Sequence, residues 1–226
     1  MELSPLFILR RHPFRDHSVL LDVFSRDAGK FTCVAKFSAS KNSRAKGMLE
    51  PFRLLEAHWT GRGEVFSLHK AEEIRRYPLK QAGLMRGMYA NELLLRTLWQ
   101  HQAQPELFAL YQHTLQRLLD PMDTFALPAW ELAVLANAGY ELNLWHDDAI
   151  GQAIDPQRRY RFLPDHGLSP DAANAKGVPI SGALLIALRS PDTFPNPLHT
   201  ELRHVLDHLL QMLLNGKTLF ARRLLP

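Results

Sequence analysis

The sequence predicts an α+β protein, because the spacing of its apolar residues changes once along the chain. From Leu6 to about Arg76 they recur at every second position in short runs, which is the pattern of half-buried strands. Farther along they recur at intervals of three and four residues, the pattern of amphipathic helices. We therefore expect two domains, 1–78 built from strands and 79–226 built from helices.

The strand-rich part contains five predicted strands, separated by turn residues. In the third of them, Phe31, Cys33 and Ala35 would point to one face of the sheet and the residues between them to the other. Five strands in so short a segment are typical of a small Greek-key barrel of the OB type, whose open face and loops bind nucleic acid. The predicted strands are Leu6–Arg11, His17–Ser25, Lys30–Phe37, Phe52–Thr60 and Glu64–Lys70.

The remainder of the chain predicts an all-helical domain with a loop-rich insertion at about 144–180. The insertion is rich in aspartate and poor in apolar runs, with one short hairpin expected around Tyr160–Leu163. Pro105 suits the first turn of a helix, and Gly139 and Gly216 stand where helices commonly end. The predicted helices are Leu84–His101, Glu106–Leu119, Ala129–Ala138, Ser181–Leu188 and Asn196–Leu214.

The net charge of +4 is unevenly distributed. Positions 1–80 carry +6 and positions 81–226 carry −2, and the segment 28–49 has five basic residues and no acidic one. Such an excess is an electrostatic footprint for a polyanion, since each phosphate neutralised by Lys or Arg releases counterions. A solvated basic loop that binds nothing would have the same composition, so charge alone leaves both interpretations open.

The segment 38–50, SASKNSRAKGMLE, interrupts the strand series and is predicted to protrude between the third and fourth strands. Its lysines could hold phosphates, while Phe31, Phe37 and Trp59 could stack on bases if they lie on the open face of the barrel. For each aromatic residue taken singly, a place in the barrel core is the preferred interpretation.

Several classes of site are disfavoured by the sequence. Cys33 is the only cysteine, which forbids an intramolecular disulfide and a four-thiolate zinc module. Asn215–Thr218 resembles the end of a phosphate-binding loop but lacks its first glycine and the preceding strand. His204 and His208, with Asp207 between them, imitate a zinc-hydrolase motif, yet an exposed helix face explains them as well and no third ligand is evident.

No run of apolar residues approaches the roughly 18 that a membrane-spanning helix needs, so we expect a soluble protein of a reducing compartment without a membrane partner. A metal-dependent nuclease remains an alternative function, because carboxylates in the insertion could hold two metal ions. Their position in a loop without a rigid element beneath argues against preorganised ligands. The candidate residues are His146, Asp147, Asp148, Asp155 and Asp165.

Five stretches distributed from end to end of the chain resemble the RecO family of bacterial recombination mediators, in the same order. No single stretch is a chemical signature, but the combination is specific. The stretches are LRRHPFRDHSVLLDVFSRDAG (Leu9–Gly29), KGMLEPFRLLEAHWTGRGEVFSLHKAE (Lys46–Glu72), YANELLLRTL (Tyr89–Leu98), WELAVLANAGYELNL (Trp130–Leu144) and GKTLFARRLL (Gly216–Leu225).

The resemblance implies a non-enzymatic protein of the bacterial cytoplasm, associated with the nucleoid. RecO-like proteins bind single- and double-stranded DNA, anneal complementary strands and, with RecR, help to load RecA onto strands coated by single-stranded-DNA-binding protein (SSB). The acidic tail of SSB docks on the helical domain in that family. Several relatives carry a four-cysteine zinc module in the region of the insertion. Since the insertion here has no cysteine, neither a metal nor any other cofactor is expected.

These considerations give two sets of candidate site residues and no catalytic residue. A second alternative function is that of a pure adaptor, whose barrel binds a protein instead of DNA. The expected DNA contacts are Arg10, Arg11, Arg15, Lys36, Lys41, Arg44, Lys46 and Arg53. An apolar groove with a basic rim would suit the SSB tail, and the candidates for that rim are Arg117, Arg203, Lys217, Arg222 and Arg223.

Overall fold

The computed structural model describes residues 3–15, 17–37, 47–172 and 176–225. The chain divides into two compact units, unit one formed by 1–122 together with 219–226 and unit two formed by 123–218. Unit one therefore contains the barrel, the first two helices and the end of the chain. The boundary expected at residue 78, between barrel and helices, stays a prediction.

Unit one is built on a closed barrel of five strands in the order β1-β2-β3-β5-β4. β3 and β5 pair in parallel, whereas the other neighbours pair antiparallel. This confirms the α+β class and the OB-like barrel. The strands are β1 Ser4–Pro13, β2 Ser18–Ser25, β3 Gly29–Lys36, β4 Arg53–Thr60 and β5 Val65–Arg76.

Strict alternation along β3 places every second side chain in the barrel core. Phe31, Cys33 and Ala35 are buried, as predicted, and they share the core with Leu21 of β2 and Leu55 of β4. Burial raises the pKa of the Cys33 thiol to about 12, and the Asp22 carboxylate adds to the rise. Cys33 is therefore a small, unreactive core residue.

The barrel packs against two helices, α1 Gln81–Thr97 and α2 Pro105–Arg117. Phe7 of β1 points away from the barrel interior, and its ring centroid lies 4.9 Å from that of Tyr111 on α2. Asn91 of α1 donates to the Leu9 carbonyl at 2.9 Å and accepts a hydrogen bond from the Tyr111 hydroxyl. These contacts bury β1 on both faces, which explains its unbroken run of apolar residues.

Unit two combines helices with a small sheet. Its helices are α3 Ala126–Asn137, α4 Gly182–Ala187 and α5 His199–Leu213. The sheet has the order β7-β6-β8, with β6 Arg159–Leu163, β7 Gly167–Pro170 and β8 Val178–Ser181. The insertion was expected to hold one hairpin, and the third strand corrects that expectation.

The described part of the chain also contains three short 3-10 helices: Pro191–Thr193 and Asn196–Leu198 in unit two, and Ala221–Leu224 in unit one. Among the described residues, no helix has the length and apolar character needed to cross a membrane.

Candidate nucleic-acid interface

The outer face of β1, β2 and β3 carries a row of polar side chains that the strand register sets side by side. Arg10 lies opposite Asp22, and Asp22 lies opposite Thr32. The Arg10 Nε donates to one Asp22 carboxylate oxygen at 2.8 Å, and the Thr32 hydroxyl donates to the other at 3.0 Å. The Arg10 side chain is 54% exposed, so its guanidinium is held in one orientation while it remains open to solvent.

Lys36 and Arg15 lie at one end of the barrel. Lys36 ends β3 opposite Ser18, and the next residue, Phe37, donates its backbone N–H to the His17 carbonyl at 2.8 Å. Arg15 is in the β1–β2 connection, with its guanidinium carbon 5.2 Å from the centroid of the Phe14 ring. Both cations are exposed, and this connection is one of the loops that OB barrels use to bind oligonucleotides.

The expected contacts Lys41, Arg44 and Lys46 lie outside the described residues. The described residues that precede them along the chain, Lys36 and Phe37, lie at the same end of the barrel as Arg15.

Arg11 and Arg53 are both engaged with carboxylates. Arg11 donates to Glu50, and Arg53 donates to Glu73. Burial would raise the pKa of Glu73, but hydrogen bonds from Arg76 and Arg53 hold it below its ordinary value. The Arg53 side chain is only 16% exposed, so it offers less surface to a phosphate than Arg10 does.

Lys30, which belongs to the acid-free segment 28–49, is a structural link. Its Nζ donates to the Leu95 carbonyl, in the last turn of α1, at 2.8 Å. Burial lowers its pKa, and the nearby Asp22 carboxylate partly opposes that effect. Lys30 therefore links the barrel to α1, and its charge interacts with the C-terminal end of that helix.

His12 and Arg62 of the barrel lie outside the predicted set of contacts. His12 Nε2 is 3.9 Å from the Asp22 carboxylate, next to Arg10. Arg62 is exposed in the β4–β5 connection, the second loop that binds oligonucleotides in OB barrels. The loop position is the sequence signal that could have singled out Arg62.

The aromatic residues proposed for base stacking belong to the barrel core. The Phe31 ring centroid lies 4.9 Å from that of Trp59 and 5.3 Å from that of Phe66. Phe37 and Trp59 are partly buried against the same core. The core interpretation is thus confirmed for Phe31, and Phe37 and Trp59 pack against that core.

Two aspartates of the insertion, Asp147 and Asp148, accept hydrogen bonds from backbone N–H groups. Asp147 is 2% exposed, and its carboxylate accepts N–H groups of Ala149, Ile150 and Gln152 at 2.7–3.1 Å. Asp148 accepts the Leu168 N–H at 2.6 Å, which ties the loop to β7. Within the described ranges, no three His, Cys, Asp or Glu side chains are grouped to hold a metal ion.

Local hydrogen bonds also involve the His204/His208 pair and its neighbour Glu201. One ring nitrogen of His208 forms a hydrogen bond of 2.8 Å with the His204 carbonyl. The nearby Glu201 accepts from the backbone N–H and the hydroxyl of Ser181, both at 2.8 Å. These groups stabilise the start of α4 and the surface of α5.

The five residues expected to hold the SSB tail fall in different units. Arg117, Arg222 and Arg223 belong to unit one, and Arg203 and Lys217 to unit two. Arg203 donates two hydrogen bonds, of 2.6 and 3.0 Å, to the carboxylate of Glu131, whose side chain is fully buried. It also lies 3.0 Å from Asp207. Arg203 thus joins α5 to α3.

Comparison with protein families identifies two matched segments in the chain. Residues 1–77 match the family model described as Recombination protein O N terminal, and residues 83–219 match Recombination protein O C terminal. The two models meet close to the boundary predicted at residue 78.

Individual relatives align over 73–99% of the chain. The DNA repair protein RecO of Alkalilimnicola ehrlichii is 36% identical, over 98% of this chain and 90% of the relative. That of Nitrosospira multiformis is 33% identical, over 99% and 94%. That of Vibrio atlanticus is 38% identical, over 73% and 69%. The two matched segments and these relatives show that the chain, with its five-stranded barrel, belongs to the RecO family.

Proposed function

We propose that this RecO family member is a non-enzymatic DNA-binding mediator of recombinational repair in the bacterial cytoplasm. It binds single- and double-stranded DNA through the barrel, anneals complementary strands and, with RecR, helps to load RecA onto strands coated by SSB. The observation that carries the proposal is the cationic end and outer face of the barrel, where Arg10, Arg15 and Lys36 are exposed.

Electrostatics supports DNA backbone as the ligand. A phosphate is best held by cations that are oriented and still hydrated. Arg10 meets both conditions through its hydrogen bond to Asp22 and its exposed side chain. Because Phe31 lies in the core and Trp59 packs partly buried against it, we expect most of the affinity to come from phosphates and to depend little on base sequence.

Reversal of the basic segment tests this proposal. The variant Lys41→Glu/Arg44→Glu/Lys46→Glu should bind a mixed-sequence single strand more weakly and with a flatter dependence on salt. Each lost phosphate contact should reduce the slope of log K against log salt concentration by about 0.7. Unchanged affinity and slope across a salt titration would contradict the assignment.

The two alternative functions, a pure adaptor and a nuclease, would give different results in simple assays. The adaptor should show no salt-sensitive binding to mixed-sequence single strands in a gel shift. A nuclease should cleave labelled DNA in the presence of Mg²⁺ or Mn²⁺ and lose that activity in Asp147→Asn or Asp155→Asn. The hydrogen bonds that Asp147 already accepts from three backbone N–H groups support the non-enzymatic proposal.

The SSB tail and RecR remain proposed partners. Of the predicted rim residues in unit one, Arg223 is exposed, whereas Arg117 and Arg222 are half-buried. The guanidinium carbon of Arg223 lies 6.0 Å from the centroid of the Phe220 ring, and that of Arg222 lies 5.9 Å from the centroid of the Tyr89 ring. Titration with an SSB tail peptide tests the mediator proposal directly, because neither alternative function requires such a site.

A further inference from the structure

Trp99, in the connection between α1 and α2, lies on the surface of unit one. It is 76% exposed, more than any other Phe, Tyr or Trp that the structure describes. The preceding residue, Leu98, is 6% exposed and belongs to the core. A lone exposed apolar residue is common on protein surfaces, so the surroundings of Trp99 decide whether it binds a ligand.

The connection that carries Trp99 is held against the start of β3. Gln100 forms a parallel β-bridge with Lys30, and the His101 N–H donates to the Lys30 carbonyl at 2.9 Å. On the other side of Trp99, the Leu95 carbonyl accepts from the Lys30 Nζ at 2.8 Å. The indole is therefore presented between two points at which the chain is linked to β3, which lowers the cost of binding a ligand there.

His101 connects this segment to the aromatic part of the barrel core. Its ring centroid lies 5.5 Å from that of Phe66 and 6.4 Å from that of Phe31. Phe31 is buried, Phe66 is half-buried and His101 is exposed. Trp99 therefore follows in the chain directly on the residues that cover the end of the barrel where β3 and β5 begin.

The polar row on the outer face of the barrel, which contains Arg10 and Thr32, leads along β3 to Trp99. Lys30 lies two residues before Thr32 and on the same face of the strand. Burial lowers the pKa of Lys30, and the Arg10 guanidinium adds to that effect, so the two cations are close to each other. Two strand residues span about 7 Å and paired backbones lie about 4.8 Å apart, which places the backbone of Gln100 within about 12 Å of the row.

We propose that Trp99 stacks on an unpaired base of a DNA single strand whose phosphates lie along the Arg10 row, so that the barrel prefers single strands to duplex. Every base offers a π-face to an aromatic ring, and the contact therefore does not depend on base sequence. In a duplex the bases are stacked on one another and do not reach a protein ring unless they are extruded. The inference rests on the proposed function and names the form of DNA that the same interface selects.

A protein partner is the other class of ligand for an exposed indole, and the neighbours of Trp99 argue against it. Gln100, His101 and Gln102, which directly follow it, are polar and exposed. The core of a protein–protein interface is built from apolar anchors that cluster together. An aromatic ring beside a cationic surface is the arrangement with which proteins bind single-stranded nucleic acid.

The experiment uses the full chain and a fluorescein-labelled oligothymidylate of about 20 nucleotides, longer than the site of one OB barrel. An abasic strand of the same length keeps the phosphates and lacks the bases, and a duplex of that length keeps the bases paired. Trp99→Ala removes the indole, and Trp99→Phe retains an aromatic ring. Trp145→Ala is the matched control, because Trp145 is 60% exposed and lies in unit two. Thermal unfolding of each variant establishes that it is folded.

Fluorescence anisotropy should show that Trp99→Ala raises the Kd for oligothymidylate about fivefold or more. The Kd for the abasic strand and for the duplex should change by less than about twofold, and the salt dependence should stay parental, since no phosphate contact is lost. Trp99→Phe should recover most of the affinity, and Trp145→Ala should bind like the parent. Equal losses for oligothymidylate and the abasic strand, or equal losses in Trp99→Ala and Trp145→Ala, would overturn the proposal.

Tryptophan emission gives a second measurement that does not depend on the alanine variant. Unlabelled oligothymidylate should quench the emission of the parent, and the abasic strand should quench it much less. Trp99→Phe should lose most of this quenching, because Trp130 is buried, Trp59 is half-buried and Trp145 lies in unit two. Quenching that persists in Trp99→Phe would contradict stacking on Trp99.

These outcomes separate the inference from the proposed function. If single strands bind with the expected salt dependence and Trp99→Ala binds them like the parent, the DNA-binding barrel stands and the role of Trp99 fails. The exposed indole would then be assigned to a protein partner. If the parent binds no DNA at all, both the proposed function and the inference fail.

Discussion

Arg203→Ala should destabilise unit two strongly, although Arg203 is also a predicted contact for a partner peptide. Its guanidinium donates two hydrogen bonds to Glu131, and the Glu131 side chain is fully buried. Removal of Arg203 takes two charge-assisted hydrogen bonds away from that buried carboxylate. Breaking a buried pair in this way costs about 3–5 kcal/mol, and we take the lower end because the Arg203 side chain is 29% exposed.

A loss of about 3 kcal/mol lowers the Tm of a unit of this size by about 12 °C or more. Thermal unfolding followed by circular dichroism measures it. Arg158→Ala is the control, because the Arg158 side chain is 60% exposed and lies 3.5 Å from the exposed Asp155. That variant should change the stability by less than about 0.5 kcal/mol.

Replacement of both partners is the second arm of the same test. Arg203→Met/Glu131→Met removes the buried charge together with its partner, so most of the lost stability should return. An Arg203→Ala protein that melts within about 2 °C of the parent would refute the reasoning. Arg203 would then be available for a ligand, as the sequence interpretation assumed.

Three further predictions follow from the barrel. Gly29→Ala should lower the free energy of unfolding by more than about 2 kcal/mol, because Gly29 has φ +69° and an added Cβ would lie 2.0 Å from a backbone oxygen. Gly151 has a similar φ but open space around an added Cβ, so Gly151→Ala should lose less stability. Equal losses in thermal unfolding of the two variants would contradict the steric argument. Asp22→Asn should lower the Kd for single-stranded DNA about threefold at low salt, since it removes an anion beside Arg10; a raised Kd would show that the charge is needed to orient the guanidinium. Cys33, whose thiol pKa burial raises to about 12, should react with iodoacetamide at about pH 8 only in denaturant, and rapid labelling of the native protein would contradict its burial.

The barrel was predictable because its side chains alternate between core and solvent, as in β3. The third strand of unit two was not, since Val178–Ser181 is four residues long and contains Pro179. At that length the pattern of apolar residues does not distinguish a strand from a loop.

The site was predictable only in part, because composition identifies charges but not their partners. Arg10 and Lys30 contribute the same charge to the count, yet Arg10 lies exposed beside Asp22 and Lys30 reaches the Leu95 carbonyl. The position of the C-terminal residues in unit one depends on contacts such as that between Glu92 and Phe220, which are 128 residues apart. Local patterns carry no information about pairs so distant in the chain.

The most direct test of the account is the salt dependence of single-stranded DNA binding by the parent protein, Lys36→Glu and Lys176→Glu. Both lysines are exposed, but Lys36 ends β3 and Lys176 precedes β8 in unit two. The two variants have the same net charge. We predict salt-sensitive binding by the parent, a slope lower by about 0.7 for Lys36→Glu alone, and a parental slope for Lys176→Glu. Binding that is absent, insensitive to salt or equally affected by the two substitutions would contradict a barrel that binds the DNA backbone.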